Sequence, residues 1–167
     1  MSDVRGPGGT AVIAIGNEYR RDDGAAQAAL RLLLRDGAPA DRCDLTDGES
    51  TRLLALWRDR DLAVVIDAVH AHPGEPGRIH RLDLAQAALA SGGATTHGLG
   101  LGEAVELGRV LGLLPSRLVV VGIEGERFDW GEQLTPAVAA AVPRAAALVR
   151  ELLEDERRTT ERTSGPR

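Results

Sequence analysis

Two adjacent carboxylates follow the first apolar run of the chain. The run from residue 10 to 15 stops at Gly16-Asn17, and after a short polar loop the pair Asp22-Asp23 precedes an amphipathic segment. This order predicts a strand, a loop and a helix, with the two acidic side chains at the mouth of a βα unit. At that position they serve either as helix N-caps or as part of a polar site, and their spacing leaves both interpretations open.

A further carboxylate and an imidazole occur at comparable places along the chain. Asp67 directly follows the apolar run of residues 62–66, and His97 lies in a loop of small residues before a predicted helix. Two separate carboxylates and one imidazole are a ligand set suited to a borderline divalent cation. Their long spacing keeps two other interpretations open, a turn residue for Asp67 and a solvated loop residue for His97. The paired His70 and His72 rank next as metal ligands.

Strands and helices alternate in the predicted secondary structure. Continuous apolar runs rich in β-branched residues predict buried strands, alternating polar and apolar residues predict exposed strands, and amphipathic segments predict helices. This order is typical of an α/β three-layer sandwich, in which a mostly parallel sheet of about five strands is covered by helices on both faces. The predicted strands are residues 10–15, 41–46, 62–66, 78–82 and 118–123, and the predicted helices end near residues 35, 57, 111 and 154.

The predicted topology brings the candidate residues to one edge of the sheet. Ligands of such sheets bind beyond the carboxyl ends of the strands, where Asp23, Asp67 and His97 are expected to lie. The last helix starts at Thr135-Pro136, and an internal Pro143 is expected to kink or divide it. The chain is accordingly divided into a flexible start of residues 1–9, a single α/β domain of residues 10–154, and a disordered charged tail of residues 155–167.

The composition limits the possible functions. The 167 residues carry a net charge of −5, which argues against a nucleic-acid surface, and all 20 basic residues are arginines. Cys43 is the only cysteine, so an intramolecular disulfide or a multi-cysteine metal site is excluded. His80, in an alternating segment, is predicted to be a surface residue. We expect a cytoplasmic protein without membrane insertion, because the sequence shows neither a signal-peptide pattern nor an apolar run of membrane-spanning length.

Five blocks of the sequence, in the same order, resemble the hydrogenase maturation proteases. These are the endopeptidases that trim the large subunit of nickel-iron hydrogenases. The first block is GNEYRRDDG, residues 16–24, which is similar to the opening signature of the family. The other four are DGES, VVIDAVHAHPGEPG, THGLGLGEAVELGRVLG and VVVGIEGERFDWGEQLTPAV.

The resemblance implies roles for individual residues. Asp23, Asp67 and His97 fall on the metal-contacting positions of the family and form the implied catalytic set. Asp23 occupies a place that is Glu in some members and Asp in others. Asn17 and Asp22 are then supporting residues rather than ligands.

One block departs from the family pattern. DGES stands where the family carries a DGG-like turn, so that Glu49 replaces a glycine. If this position needs a positive φ, backbone strain is expected there.

The implied activity is that of an aspartic-type endopeptidase, which makes a single cut near the C-terminus of the large-subunit precursor after nickel insertion. The nickel is carried by the cysteine thiolates of this substrate, and no tightly bound cofactor of the enzyme is expected. Activation of water by a carboxylate and polarisation of the peptide carbonyl by the metal both remain open.

The strongest alternative is a phosphoacceptor receiver domain, a signalling module without catalytic activity. Such a domain also has an acidic pair after its first strand and an aspartate at the end of its third. Here six residues separate Ile15 from Asp22, and the lysine that receivers use is missing because the chain has none.

Overall fold

The computed structural model describes residues 8–85 and 101–165. Its strands are β1 (Thr10–Ile15), β2 (Arg42–Thr46), β3 (Leu62–Val69), β4 (Ile79–Ala85) and β5 (Arg117–Glu124). Its helices are a short 3-10 helix (Arg21–Gly24), α1 (Ala25–Arg35), α2 (Ser50–Trp57), α3 (Gly102–Leu111) and α4 (Pro136–Thr163).

A single five-stranded sheet, in the order β2-β1-β3-β5-β4, forms the middle layer. Strands β2, β1, β3 and β5 run parallel, and β4 is antiparallel at one edge. Alternate side chains of the central strands enter two apolar clusters, one under α1 and α4 and the other under α2 and α3. The predicted α/β sandwich with a mostly parallel sheet is therefore confirmed. Among the described helices, none combines the length and the apolar character needed to cross a bilayer.

The place of β5 separates this fold from that of a receiver domain. In the flavodoxin-like order 2-1-3-4-5, which receivers share, the fourth strand lies beside the third. Here β5 occupies that place, and β4 lies outside it in the antiparallel direction. The receiver alternative is therefore wrong.

Strand β3 extends past Asp67. The apolar run predicted a strand ending at that residue, whereas pairing with β5 continues through Ala68 and Val69. Asp67 is thus a residue within the ladder, in register with Gly122. The strand pairs before and after Asp67, which are Ile66 with Val121 and Ala68 with Ile123, fix its backbone position. A loop residue would lack this constraint.

Helix α4 is longer than predicted. It runs to Thr163, and Pro143 does not divide it. The predicted helix end near Glu154 and the predicted disorder beyond it are therefore wrong as far as Thr163. Residues 155–163 of the helix are all charged or polar, so this part has no apolar face. Ion pairs between side chains three and four residues apart stabilise it instead. These pairs are Asp155–Arg158 and Arg157–Glu161.

The DGES turn has no backbone strain at its unusual residue. Glu49 has φ −60°, and the positive φ of 92° belongs to Gly48. The carboxylate of Glu49 caps α2 by accepting hydrogen bonds of 3.0 Å from the N–H groups of Thr51 and Arg52. The conditional expectation of strain at this departure from the family pattern is therefore wrong.

The turn that leaves β1 requires a glycine. Gly16 has φ +149°, and a Cβ built on it would lie 1.9 Å from the carbonyl oxygen of Asp23. Gly37, just after α1, also has a positive φ of 67°, but a Cβ there meets nothing within 4 Å. Gly16 is therefore needed because a side chain has no space there, whereas Gly37 is favoured only because its backbone is left-handed.

We expect Gly16→Ala to lower the free energy of unfolding by at least about 3 kcal/mol, because the new methyl group displaces the backbone that carries Asp23. The matched control Gly37→Ala should lower it by about 1 kcal/mol, the cost of a left-handed alanine alone. Urea denaturation followed by circular dichroism measures both. Equal losses would contradict the close approach of Gly16 to Asp23.

Candidate active site

Asp23 lies in the loop between β1 and α1, where local hydrogen bonds fix it. Its Oδ2 accepts a bond of 2.9 Å from the N–H of Asn17, and Oδ1 of Asn17 accepts one of 3.0 Å from the N–H of Tyr19. The buried side-chain amide of Gln27 reaches back from α1 and donates to the carbonyl of Gly16 at 2.7 Å. Asn17 thus stabilises the loop through both its backbone N–H and its side-chain oxygen. Gln27 was not among the predicted site residues.

Asp22 joins this loop to the loop after β5. Its fully buried carboxylate accepts hydrogen bonds of 2.8–2.9 Å from the N–H groups of Glu126, Arg127 and Thr135, and another of 2.8 Å from the Thr135 hydroxyl. Burial alone would raise the pKa of Asp22, but these donors outweigh it and hold that pKa below its ordinary value. Asp22 does not cap α1, whose N-cap residue is Gly24 and which has no side-chain cap.

Asp67 is a buried carboxyl group on β3, with 7% of its surface exposed. Desolvation and the nearby charge of Asp23 raise its pKa to about 8, although the N–H of Ala68 acts in the opposite direction. The charge of Asp23 acts on Asp67 only because the loop after β1 and the end of β3 meet at the same edge of the sheet. The structure thus brings together two of the three predicted ligands.

The third predicted ligand, His97, lies outside the described residues. Within residues 8–85 and 101–165, no three His, Cys, Asp or Glu side chains are grouped closely enough to hold a metal ion. The paired His70 and His72 are part of no such group there. His70 instead stacks on Phe128, with ring centroids 3.5 Å apart.

Two polar residues near Asp67 were missed by the sequence reasoning. Gly122 on β5 is in register with both Asp67 and His80, so the two side chains lie on the same face of the sheet. Glu124, which is 4% exposed, places its Oε2 3.2 Å from Nε2 of His80. His80 therefore pairs with a buried acid, while its own side chain stays 41% exposed, as its alternating segment predicted. In the sequence, Glu124 is marked only by its position directly after the apolar run of residues 118–123.

We expect the free energy of unfolding to fall as the pH rises from about 4 to about 8, by up to about 1.4 kcal/mol per unit. In this range the folded state keeps a proton on Asp67, whereas the unfolded state, with an ordinary pKa of 3.8, has released it. Above pH 8 both states are ionised and the dependence ends. Urea titrations from pH 4 to 9 measure it.

Asp67→Asn is the control for this pH dependence, because it keeps the shape of the side chain and removes the titration. The difference in unfolding free energy between the wild type and this variant isolates Asp67 from all other groups. The variant should be the more stable protein at pH 8. Parallel profiles for the two proteins would contradict the raised pKa of Asp67.

We expect Asp22→Asn to lower the free energy of unfolding by about 3 kcal/mol at pH 7. The amide that replaces one oxygen would face N–H donors and leave them without an acceptor. The control Asp129→Asn changes a half-exposed aspartate on the same loop and should lower it far less, because solvent screens its ion pairs. Urea denaturation compares the two, and similar losses would show that Asp22 does not hold the loops together.

A family model described as HycI, hydrogenase maturation protease, matches residues 31–152. The chain is 28% identical to the hydrogenase expression/formation protein HupD of Bradyrhizobium diazoefficiens, over 93% of this chain and 83% of that protein. It is 27% identical to the hydrogenase 2 maturation protease of Escherichia coli, over 78% of this chain and 82% of that protein.

Solved structures share the fold. The hydrogenase maturating endopeptidase HybD from Escherichia coli superimposes with a TM-score of 0.69 and 24% identity, covering 88% of this chain and 93% of the other. The [NiFe] hydrogenase maturation protease HybD from Thermococcus kodakarensis has a TM-score of 0.66 and 23% identity, with coverages of 86% and 98%.

The family match covers most of the chain, and the relatives match it over most of their own lengths. The matched residues include Asp67, and the loop that carries Asp23 comes before them in the sequence. The resemblance inferred from the five sequence blocks is thereby confirmed. The chain belongs to the hydrogenase maturation protease family and is a peptidase of hydrogenase maturation.

Proposed function

We propose that this protease removes the C-terminal peptide of a nickel-iron hydrogenase large-subunit precursor after nickel has been inserted. In this proposal Asp23, Asp67 and His97 contact the nickel that the precursor carries, and the reaction takes place in the cytoplasm. The name of the Thermococcus kodakarensis relative, a [NiFe] hydrogenase maturation protease, supports this class of substrate.

The observation that carries the proposal is the pairing of Asp23 with the buried Asp67 at the carboxyl edge of the sheet. Asp67 holds its proton because it is buried beside the charge of Asp23, and a cation between the two side chains would stabilise the ionised form of Asp67. Carboxylate oxygens together with an imidazole nitrogen suit a borderline divalent ion such as nickel. The precursor would supply that ion.

This arrangement would make cleavage depend on nickel. The metal of a loaded precursor would take the place of the Asp67 proton and pair with both carboxylates on docking, whereas an empty precursor offers no such charge pairing and binds more weakly. Contact with the metal would also orient the scissile peptide against the enzyme, which lowers the entropic part of the barrier. The enzyme would in this way select the loaded precursor before it makes an irreversible cut.

Two routes for the cut are compatible with these residues. In the first, a carboxylate takes a proton from the attacking water and passes it to the leaving nitrogen. In the second, the metal polarises the peptide carbonyl and the carboxylates mainly hold the metal. Both consume one water molecule and release a new carboxyl terminus and a new amine.

We expect the wild-type protein to shorten only the nickel-loaded precursor, with the loss of a C-terminal peptide detected by intact mass spectrometry. Asp23→Asn, Asp67→Asn and His97→Ala should each reduce the rate at least about a hundredfold, because each removes a group that contacts the metal or a proton. The stability of Asp67→Asn, measured in the same preparation, separates lost chemistry from lost folding.

His72→Ala is the control for the histidine variant, since it changes an exposed residue, and it should process the precursor at the wild-type rate. Cleavage of both loaded and empty precursors would remove the selection for nickel and leave the protease function. Full activity of Asp67→Asn and His97→Ala would rule out the proposed metal contacts.

A further inference from the structure

A cavity of about 330 Å³ opens beside the loop that carries Asp23. Its wall includes Gly24, the residue after Asp23, and the side chains of Tyr19 and Arg31 on one side. Glu132 and Leu134, from the loop after β5, complete the other side. The cavity therefore lies between the two loops that Asp22 holds together, and it has room for one long side chain.

Backbone hydrogen bonds join the two loops along the edge of this cavity. The N–H of Gly131 donates to the carbonyl of Tyr19 at 2.8 Å, and the N–H of Arg21 donates to the carbonyl of Gly131 at 2.7 Å. These bonds are those of a short parallel bridge between residues that are far apart in sequence. A cavity with such walls is already formed before a partner arrives, which reduces the ordering that binding requires.

Two exposed aromatic side chains belong to the two loops that contribute to the cavity wall. The chain has only four Phe, Tyr and Trp residues, and two of them are Tyr19, which is 54% exposed, and Trp130, which is 71% exposed. The guanidinium of Arg20 lies 5.4 Å from the Trp130 ring centroid, over the ring. Large aromatic groups held in this way on a surface are typical of the anchor residues of protein interfaces.

The charge of the cavity is negative. Glu18 and Arg31, which both line it, form an ion pair with each other and cancel. Among the described residues Glu132 makes no ion pair, so its carboxylate is the uncompensated charge of the wall. A cationic side chain matches this wall, because its charged end meets Glu132 while its methylene groups pack against Tyr19 and Leu134.

We propose that this cavity binds an arginine or lysine side chain of the hydrogenase precursor, with Tyr19 and Trp130 packing against the adjoining precursor surface. The inference deepens the proposed function and rests on it. The cavity wall includes Gly24, which follows Asp23 in the chain, so an anchored basic residue would lie beside the loop that carries Asp23. The precursor would thus be held by two contacts, one at its metal and one at this cavity.

The test measures the Kd of the nickel-loaded precursor by biolayer interferometry, and kcat and KM by its cleavage. Glu132→Gln should raise Kd and KM about tenfold, through loss of a charge pair, and leave kcat within twofold. Trp130→Ala should raise them by about thirtyfold, through loss of an aromatic anchor. The effect of Glu132→Gln should shrink at high salt.

Matched controls change similar residues elsewhere on the surface. Val110→Ala removes a 72% exposed apolar side chain on α3, and Glu161→Gln removes an exposed charge near the end of α4. Both should keep the wild-type Kd and KM. Thermal denaturation of every variant verifies that it is folded.

A double-mutant cycle identifies the basic residue in the precursor. Each Arg and Lys of the precursor is replaced by alanine and tested against wild-type protease and Glu132→Gln. One replacement should weaken binding of the wild type about tenfold and have no further effect on Glu132→Gln, because both changes remove the same contact. Additive effects for every basic residue would contradict the proposal.

The outcomes distinguish failure of the docking site from failure of the proposed function. If the wild type cleaves the precursor and both Glu132→Gln and Trp130→Ala keep its Kd and KM, the cavity is not a docking site and the proposed function stands. Binding that depends on Glu132 without any cleavage would support the cavity and overturn the function. If the wild type neither binds nor cleaves, both fail. A dimer in light scattering that Trp130→Ala dissociates would assign this surface to self-association instead.

Discussion

The buried carboxylate of Asp22 is the interaction on which the site depends. It is not exposed to water, and it is stabilised by N–H groups from a loop more than a hundred residues away in sequence. Asp23, the next residue, has a different environment, since it is partly exposed and its charge acts on Asp67. Two identical neighbouring side chains therefore have opposite roles: one holds the loops and the other faces a second acid. The backbone donors around Asp22 make this division possible.

The electrostatics of the site oppose the stability of the fold. A carboxyl group in a central strand, close to a second acid, disfavours the folded state at neutral pH unless it keeps its proton. The apolar clusters on both faces of the sheet offset this, because the side chains of β1, β3 and β5 around it are almost fully buried. Such local destabilisation is usual where residues are arranged for binding or chemistry rather than for packing.

Features that depend on local sequence could be predicted, and those that depend on distant contacts could not. The apolar runs of β1, β3 and β5 determine both their strands and their parallel packing, so the edge where Asp23 and Asp67 meet followed from periodicity and connection order. The partners of Asp22 and the contact between Glu124 and His80 depend on register and loop packing, which single residues do not encode. The continuation of β3 past Asp67 has the same origin, as it requires pairing with β5.

The length of α4 separates its C-terminal end from the site. The helix begins beside Asp22, through Thr135, and runs antiparallel to β5 towards the opposite edge of the sheet, where Thr160 lies near Thr10 at the start of β1. Its 28 residues span about 42 Å at 1.5 Å per residue. A fluorophore or a surface tether attached after α4 would therefore lie far from the cavity and from Asp23. Immobilisation through this end of α4 would keep the attachment point away from Asp23 and from the cavity.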